Sequence, residues 1–393
     1  MAREFDVVLL GATGFTGKLV AQYLAKQALK WAIAGRNRDK LAALGLDAPI
    51  VICDTGDRAQ CEAMAARTKV VCTTVGPYAK YGAEVVAACA AAGTSYCDLT
   101  GEPNFMREMI DAHQEQARQS GARIVHASGF DSIPSDLGTW ATQQAFIQKF
   151  GIPAQQVTAY YGALSGGFSG GTLASMFEIQ DAMTKDKNVR RVLGNPYGLD
   201  PDPRADKPPA PDDKTPGWDR DVKMFVVPFI MAATNSQVVR RSHAIAGNPW
   251  GSDFVYREVM TTPASAKGAL MAAGITAGLG GMLLAMQVPL IRDEIKKRAP
   301  KPGEGPSESQ RARGHWTVRF VAKRGTDRLD FIVEDPHGDP GYASTSKMLG
   351  ESAMCLALDP LDSPGGVTTP SVAMGSHLLA RLKAAGIEFR IKQ

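Results

Sequence analysis

Phe5-Asp-Val-Val-Leu-Leu10, followed at once by Gly11-Ala-Thr-Gly14-Phe-Thr-Gly17, is the stretch from which the fold is read. The apolar run has the length and β-branched content of a buried strand, and the glycines separate it from a helix-like segment, Gly17 to Ala28. A strand, a glycine turn and a helix in that order are what a dinucleotide needs. Its pyrophosphate must approach bare backbone N–H groups at the positive end of a helix. Gly11 allows the tight turn, Gly14 the close approach and Gly17 the packing of helix on strand, with Ala12, Thr13, Phe15 and Thr16 completing the cradle. The alternative is an ordinary glycine-rich turn. The spacing is GxxGxxG, a variant of GxGxxG.

The alternation continues. Trp31–Ala34, Pro49–Cys53, Lys69–Val75, Ser95–Leu99 and Arg123–His126 read as strands, with Arg38–Leu44, Ala59–Arg67, Ala83–Ala92 and Asn104–Ser120 as the helices between them. Repeated βαβ units imply an α/β fold, a doubly wound parallel Rossmann sheet over residues 1–135. From about Thr158 strand-like pieces (157–163, 224–229, 316–321, 328–333) follow one another with no helix between each pair. This predicts a second α+β domain on a mixed sheet over 136–340. Residues 341–393 carry two helix-like segments, 342–358 and 371–385, expected to return to the first domain. The Pro- and Asp-rich stretch 195–216 and the stretch 300–314 read as exposed loops.

The second strand selects the cofactor. An NAD site places a carboxylate there for the ribose 2′-OH, whereas this strand runs into Gly35-Arg36-Asn37-Arg38. Arg36 can pair with a 2′-phosphate, so NADP(H) is expected, with Arg36 and Asn37 as contacts. A solvated surface arginine is the alternative. Asp54, closing the third strand, is an adenine neighbour, and Val75-Gly76-Pro77 after the fourth lies near the nicotinamide ribose.

Composition narrows the class. A net charge of +4 over 393 residues, with no Lys/Arg run interleaved with aromatics, argues against nucleic acid. The cysteines at 53, 61, 72, 89, 97 and 355 form no CxxC and have no histidine at metal spacing, so no metal site is expected and buried structural thiols are. The N-terminus leaves no room for a charged region before a cleavable apolar segment, which reads as cytoplasmic.

With Val8-Leu-Leu-Gly-Ala-Thr-Gly-Phe-Thr-Gly17, Val75-Gly-Pro-Tyr78, Tyr81-Gly82, Gly93-Thr-Ser-Tyr-Cys-Asp-Leu-Thr-Gly-Glu102, His126-Ala-Ser-Gly-Phe-Asp-Ser-Ile-Pro-Ser-Asp136, Ser169-Gly-Gly-Thr172 and Gly365-Gly-Val-Thr-Thr-Pro370, the chain resembles the saccharopine dehydrogenase-like oxidoreductases. It is most similar to the bacterial branch that includes mycobacterial trans-acting enoyl reductases. The resemblance implies a Rossmann domain, an inserted second domain, NADP(H) and, in the enoyl reductase members, saturation of an acyl chain during lipid synthesis.

Hydride transfer leaves the protein to position substrate and exclude water. For an enoyl thioester a donor at the carbonyl oxygen would stabilise the enolate, and Tyr78 and Tyr81 are the best-placed hydroxyls, a core role being the alternative. Asp98 and Glu102 after the fifth strand, and Asp131, Ser132 and Asp136 after the sixth, can face the cleft as acids or bases. Asp131 is the candidate kept, although turn or cap roles are the more ordinary account of Asp98 and Asp131. Ser169-Gly-Gly-Thr172 is an anion nest or a helix entry.

No charge occurs between Lys267 and Arg292. The stretch 268–291 approaches a bilayer span in length, but its glycines and Pro289 lower its hydrophobicity. A buried helix or hairpin lining an acyl tunnel ranks first, peripheral membrane or lipid contact second and a true span third. The expectation is an NADPH-dependent enoyl reductase on a lipid-like or carrier-bound acyl substrate, working as a homodimer. The rivals are an imine or ketone reductase and a non-catalytic NADP(H)-binding, lipid-associated protein.

Overall fold

The computed structural model describes residues 3–162, 170–204, 206–211, 213–298, 307, 311 and 313–393. Two seven-stranded sheets organise it. The first is wholly parallel, in the order β13-β6-β5-β4-β1-β2-β3. It is built from β1 (Phe5–Leu10), β2 (Trp31–Gly35), β3 (Ile50–Ile52), β4 (Thr68–Thr73), β5 (Ser95–Cys97), β6 (Arg123–Val125) and, much later in the chain, β13 (Gly366–Thr368). Between them run α1 (Phe15–Leu24), α2 (Arg38–Ala42), α3 (Arg58–Arg67), α4 (Tyr78–Tyr81), α5 (Ala83–Ala92) and α6 (Pro103–Ser120), and α7 (Ile133–Phe150) leads out. The parallel order with helices on both faces explains why β1 is apolar throughout: Val7, Val8, Leu9 and Leu10 are all buried. Helix α1 covers it with Gly17, Val20, Ala21 and Leu24, the i, i+3, i+4, i+7 stripe of a packed helix. Leu10 lies opposite Ala34 of β2 and Thr73 of β4, so the loops after these three strands emerge side by side.

The second sheet is mixed, in the order β14-β12-β11-β7-β10-β9-β8. Its strands are β7 (Gln156–Tyr161), β8 (Gly217–Asp219), β9 (Met224–Val227), β10 (Val255–Thr262), β11 (Trp316–Arg324), β12 (Asp327–Asp335) and β14 (Glu388–Ile391). Only β7 and β10 pair in parallel. The remaining helices are α8 (Gly170–Lys185), α9 (Lys187–Gly194), α10 (Ala232–Ile245), α11 (Ala266–Gln287), α12 (Pro289–Arg298), α13 (Thr345–Leu358) and α14 (Pro370–Ala384). Helix α7 seats on this sheet at Gly138, where a Cβ would stand 2.6 Å from the Phe320 ring. Helix α13 returns to the first sheet: a Cβ on Gly350 would stand 2.7 Å from the Tyr23 ring of α1, and the Tyr23 hydroxyl donates to Glu351 at 2.5 Å. One apolar core thus runs from Val7 and Leu9 through α7 and α13 to Tyr161 and Phe320.

Three features depart from the sequence reading. The tail contributes two short strands as well as helices. β13 extends the first sheet beside β6, and β14 pairs with β12 in the second. The stretch 195–216 is not wholly an exposed loop, because Leu199 and Asp200 are buried and the Arg241 guanidinium donates to the Leu199 carbonyl at 2.7 Å. The segment 268–291 is not a buried hairpin. It forms the exposed helix α11 and the start of α12, with only 11% of the most apolar window of α11 buried. Ala163, Ser169 and most of 300–314 lie outside the described residues.

Candidate active site

At the end of β1 the chain turns through Gly11 at φ +95°, a left-handed conformation that glycine adopts without strain. A Cβ on Gly11 would stand 2.7 Å from the Val75 side chain, and one on Gly17 would stand 2.1 Å from the Gly11 carbonyl oxygen. Both glycines are therefore fixed by packing. Gly14 differs. It is exposed, its φ of −72° suits any residue, and a Cβ there would meet only the Gly11 carbonyl at 3.5 Å. Nothing among the described residues requires glycine at this position, which leaves the space before it open to a group approaching from outside. Gly14 is also the N-cap of α1, with no side chain capping it and no acid in the first turn. The helix thus presents uncapped N–H donors and its positive end to that space. The turn fits a pyrophosphate.

Arg36 follows β2, exposed and without hydrogen bond or ion pair among the described residues. It is available to a phosphate in the same row of loops. Asn37 is differently engaged, since its Oδ1 accepts from the Lys40 N–H at 2.9 Å and caps α2. Asp54 accepts from Gly56 N at 3.0 Å, shaping the turn after β3. One residue without a sequence signal joins the cradle: the Arg311 guanidinium stacks 5.5 Å from the Phe15 ring centroid, and Tyr342 meets the same ring edge-on at 4.8 Å. No spacing rule links positions 15, 311 and 342.

Beyond β4, Val75, Gly76 and Pro77 form the loop facing Gly11, with Val75 N held by Thr73 Oγ1 at 3.2 Å. Tyr78 corrects the sequence reading. It is buried, its hydroxyl donates to the Thr73 carbonyl at 3.3 Å and accepts from Leu99 N at 3.2 Å, and its ring stacks on Phe105. With both capacities engaged inside the core it offers nothing to a substrate. Tyr78→Phe is expected to cost about 1 kcal/mol of stability, read by urea denaturation, with cofactor affinity unchanged. Tyr81, half-buried at the end of α4, has no hydrogen bond to its hydroxyl among the described residues. Glu102 organises this corner. Its carboxylate accepts from Tyr78 N at 3.0 Å, Ala79 N at 2.9 Å and Ser175 Oγ of α8 at 2.7 Å, and burial raises its pKa.

The carboxylates after β5 and β6 divide by environment. Asp98 is a turn and cap residue that accepts from Thr100 N and Ala127 N at 3.0 Å, from Tyr96 OH at 2.9 Å, and bonds His126 Nδ1 at 2.8 Å. Asp136 ties α7 to Ser242 of α10 and Ser371 of α14. Asp131 caps nothing. It has no hydrogen-bond partner among the described residues and is largely buried, and that burial pushes its pKa up to about 6. Asp131 stands beyond the C-terminal end of β6, the edge at which such a sheet binds ligand.

Residues 7–125 match the sequence profile of the saccharopine dehydrogenase NADP-binding domain. A Mycobacterium tuberculosis protein provisionally named as a trans-acting enoyl reductase is 41% identical over 409 residues, covering 99% of this chain and 97% of that protein. The trans-acting enoyl reductase of Mycobacterium ulcerans is 38% identical over 406 residues, covering 98% and 97%. The chain belongs to the saccharopine dehydrogenase-like family, with an NADP-binding oxidoreductase domain at its N-terminus. Its fold is that of saccharopine dehydrogenase from Saccharomyces cerevisiae, with a TM-score of 0.53 at 14% identity over 98% of this chain and 99% of that one.

In this family member no local sequence signal marks the polar cluster behind Asp131. Glu258 of β10 is buried and accepts from Tyr256 OH at 2.6 Å, Asn235 Nδ2 at 2.7 Å and Ser135 Oγ at 2.9 Å. Ser135 also bonds the Tyr161 hydroxyl at 2.7 Å, and Ser132 Oγ donates to Asn235 Oδ1 at 3.1 Å. The cluster locks the start of α7, and so the loop bearing Asp131, to the second sheet. Burial pushes the Glu258 pKa up to about 7. A carboxyl whose folded pKa is raised is most stabilising when protonated. Its contribution therefore falls as pH climbs from the unfolded value of 4.5 towards about 7. Glu258→Gln keeps the acceptor oxygen without the charge, and is expected to flatten that loss, on the order of 3 kcal/mol, in melts across this pH window.

Proposed function

We propose that the protein is an NADPH-dependent reductase that saturates the double bond of a lipid-like or carrier-bound enoyl thioester. The observation that carries the reading is Asp131, an uncommitted carboxyl with a pKa near 6 at the nicotinamide end of a dinucleotide cradle. Full-length relatives named as enoyl reductases support the choice of reaction.

The residues that would hold the cofactor are Gly11 through Gly17 for the pyrophosphate, Arg36 for the 2′-phosphate and Val75 to Pro77 beside the nicotinamide ribose. When bound, NADPH supplies the hydride. The chain's own residues have two tasks. As hydride adds to the β carbon, the electron pair of the double bond moves toward the thioester oxygen, and the Tyr81 hydroxyl donates to that oxygen. Asp131, protonated below about pH 6, then delivers a proton to the α carbon and is reprotonated from solvent. The substrate gains one hydride and one proton, which balances the reduction.

The test is NADPH oxidation with a panel of enoyl thioesters of rising chain length, β-keto thioesters, and amino acids with their keto acids. Turnover confined to the enoyl arm supports the reading. Turnover confined to the keto or amino-acid arm contradicts it, as does inactivity throughout.

A further inference from the structure

Helix α11 is the least protein-like surface of the molecule. Of the twelve large hydrophobic side chains exposed among the described residues, seven fall between Leu270 and Ile291. Leu290 is 82% exposed, Leu270 75%, Leu284 66% and Leu283 55%. Scattered exposed leucines are ordinary, but a patch of this concentration marks a contact with something apolar. The inner face of α11, through Gly268, Ala272 and Met286, rests on the body of the protein. The outer face is equally apolar, because no charged residue occurs from 268 to 291.

We infer that α11 and the start of α12 form a docking surface for an anionic lipid membrane, lying flat on it rather than crossing it. Two observations set the occupant and the orientation. The first is charge. The apolar stretch is bounded by Lys267 at one end and at the other by α12, where Arg292, Lys296, Lys297 and Arg298 outnumber Asp293 and Glu294 and Lys297 pairs with Glu294 at 3.7 Å. At that second end Arg292 pairs with Asp181 of α8, which brings in the exposed Lys185 and Lys187 of the adjoining helices. A hydrophobic face flanked by a net excess of cationic residues is complementary to acyl chains beneath anionic headgroups. The second is tethering. The helix begins where Thr262 Oγ1 of β10 bonds the Gly268 carbonyl and runs into α12, whose Arg292 pairs with Asp181. Asp181 lies only about 9 Å along α8 from Ser175, the residue bonded to Glu102 of the first domain. Both ends of α11 are thus held to one body, so the helix cannot pass through a bilayer. The same helix α8 joins the patch to the Glu102 corner of the first domain.

The experiment is flotation of the full-length protein with phosphatidylcholine vesicles, with and without phosphatidylglycerol, at low and high salt. No turnover is needed, so the outcome is independent of the enoyl reading. The expected result is flotation with the anionic vesicles that weakens with salt and falls at least about 100-fold in Leu283→Glu/Leu284→Glu, with NADPH affinity retained. Leu290→Glu, at the most exposed position, serves if the double variant does not fold. Failure of the native protein to float overturns the proposal, and so does equal flotation of the variants. So does a stable dimer in sedimentation that the same substitutions dissociate without lipid, because a second copy would then cover the patch.

Discussion

Gly14→Ala is expected to lower NADPH affinity at least about 100-fold while leaving the melting temperature unchanged. Gly17→Ala, three residues on, is expected to lower both. The difference follows from geometry. At Gly14 a methyl group would meet only a carbonyl at ordinary contact distance, and the backbone already has a conformation that alanine adopts. The folded chain accommodates it, and the space removed is the space in front of the helix N-terminus. At Gly17 the methyl would stand 2.1 Å from the Gly11 carbonyl, so α1 must move off β1 or the Gly11 turn must open. Calorimetric titration with NADPH and thermal melts on both variants separate the two effects. Parallel losses of stability and affinity in both would mean that the cradle is only a packing motif.

The second large effect concerns Asp131. Asp131→Asn retains shape and hydrogen bonding but cannot deliver a proton, so kcat on the enoyl substrate is expected to fall about 10²- to 10⁴-fold with NADPH affinity unchanged. The pH dependence should change with it. In the native enzyme kcat/KM declines as pH rises through about 6, because the acid form is lost. In the variant that limb is absent. A normal rate and pH profile in Asp131→Asn would remove Asp131 from the chemistry.

The first domain was largely legible because its signals are local. An unbroken apolar strand, three glycines at a helix entry and an arginine where NAD sites carry a carboxylate each have a mechanism confined to a few residues. The family resemblance extended that reading over the whole chain. What escaped was what depends on distant partners. Tyr78 sits in the right loop for a catalytic hydroxyl, and only the approach of Thr73 and Leu99 makes it a core residue. Conversely, Asp131 is an Asp in a turn, the usual setting for a cap, and only the structure shows that it caps nothing among the described residues. The Glu258 cluster joins positions 135, 161, 235, 256 and 258, a set no periodicity links. The segment 268–291 was misjudged for a related reason: apolar composition alone does not distinguish a helix covered by protein from one left for another phase. The short strands β13 and β14 lack the length to register as strands and form because an edge of each sheet awaits them.

The central claim is that backbone amides at the head of α1 grip a pyrophosphate while Arg36 recognises the phosphorylated ribose. Its most direct test is calorimetric titration of the native protein and of Arg36→Ala with NADPH and with NADH. The account predicts that the native protein prefers NADPH at least about 10-fold and that the substitution abolishes the preference by weakening NADPH alone. Equal affinity of the native protein for the two cofactors, or no uptake of either, would contradict it.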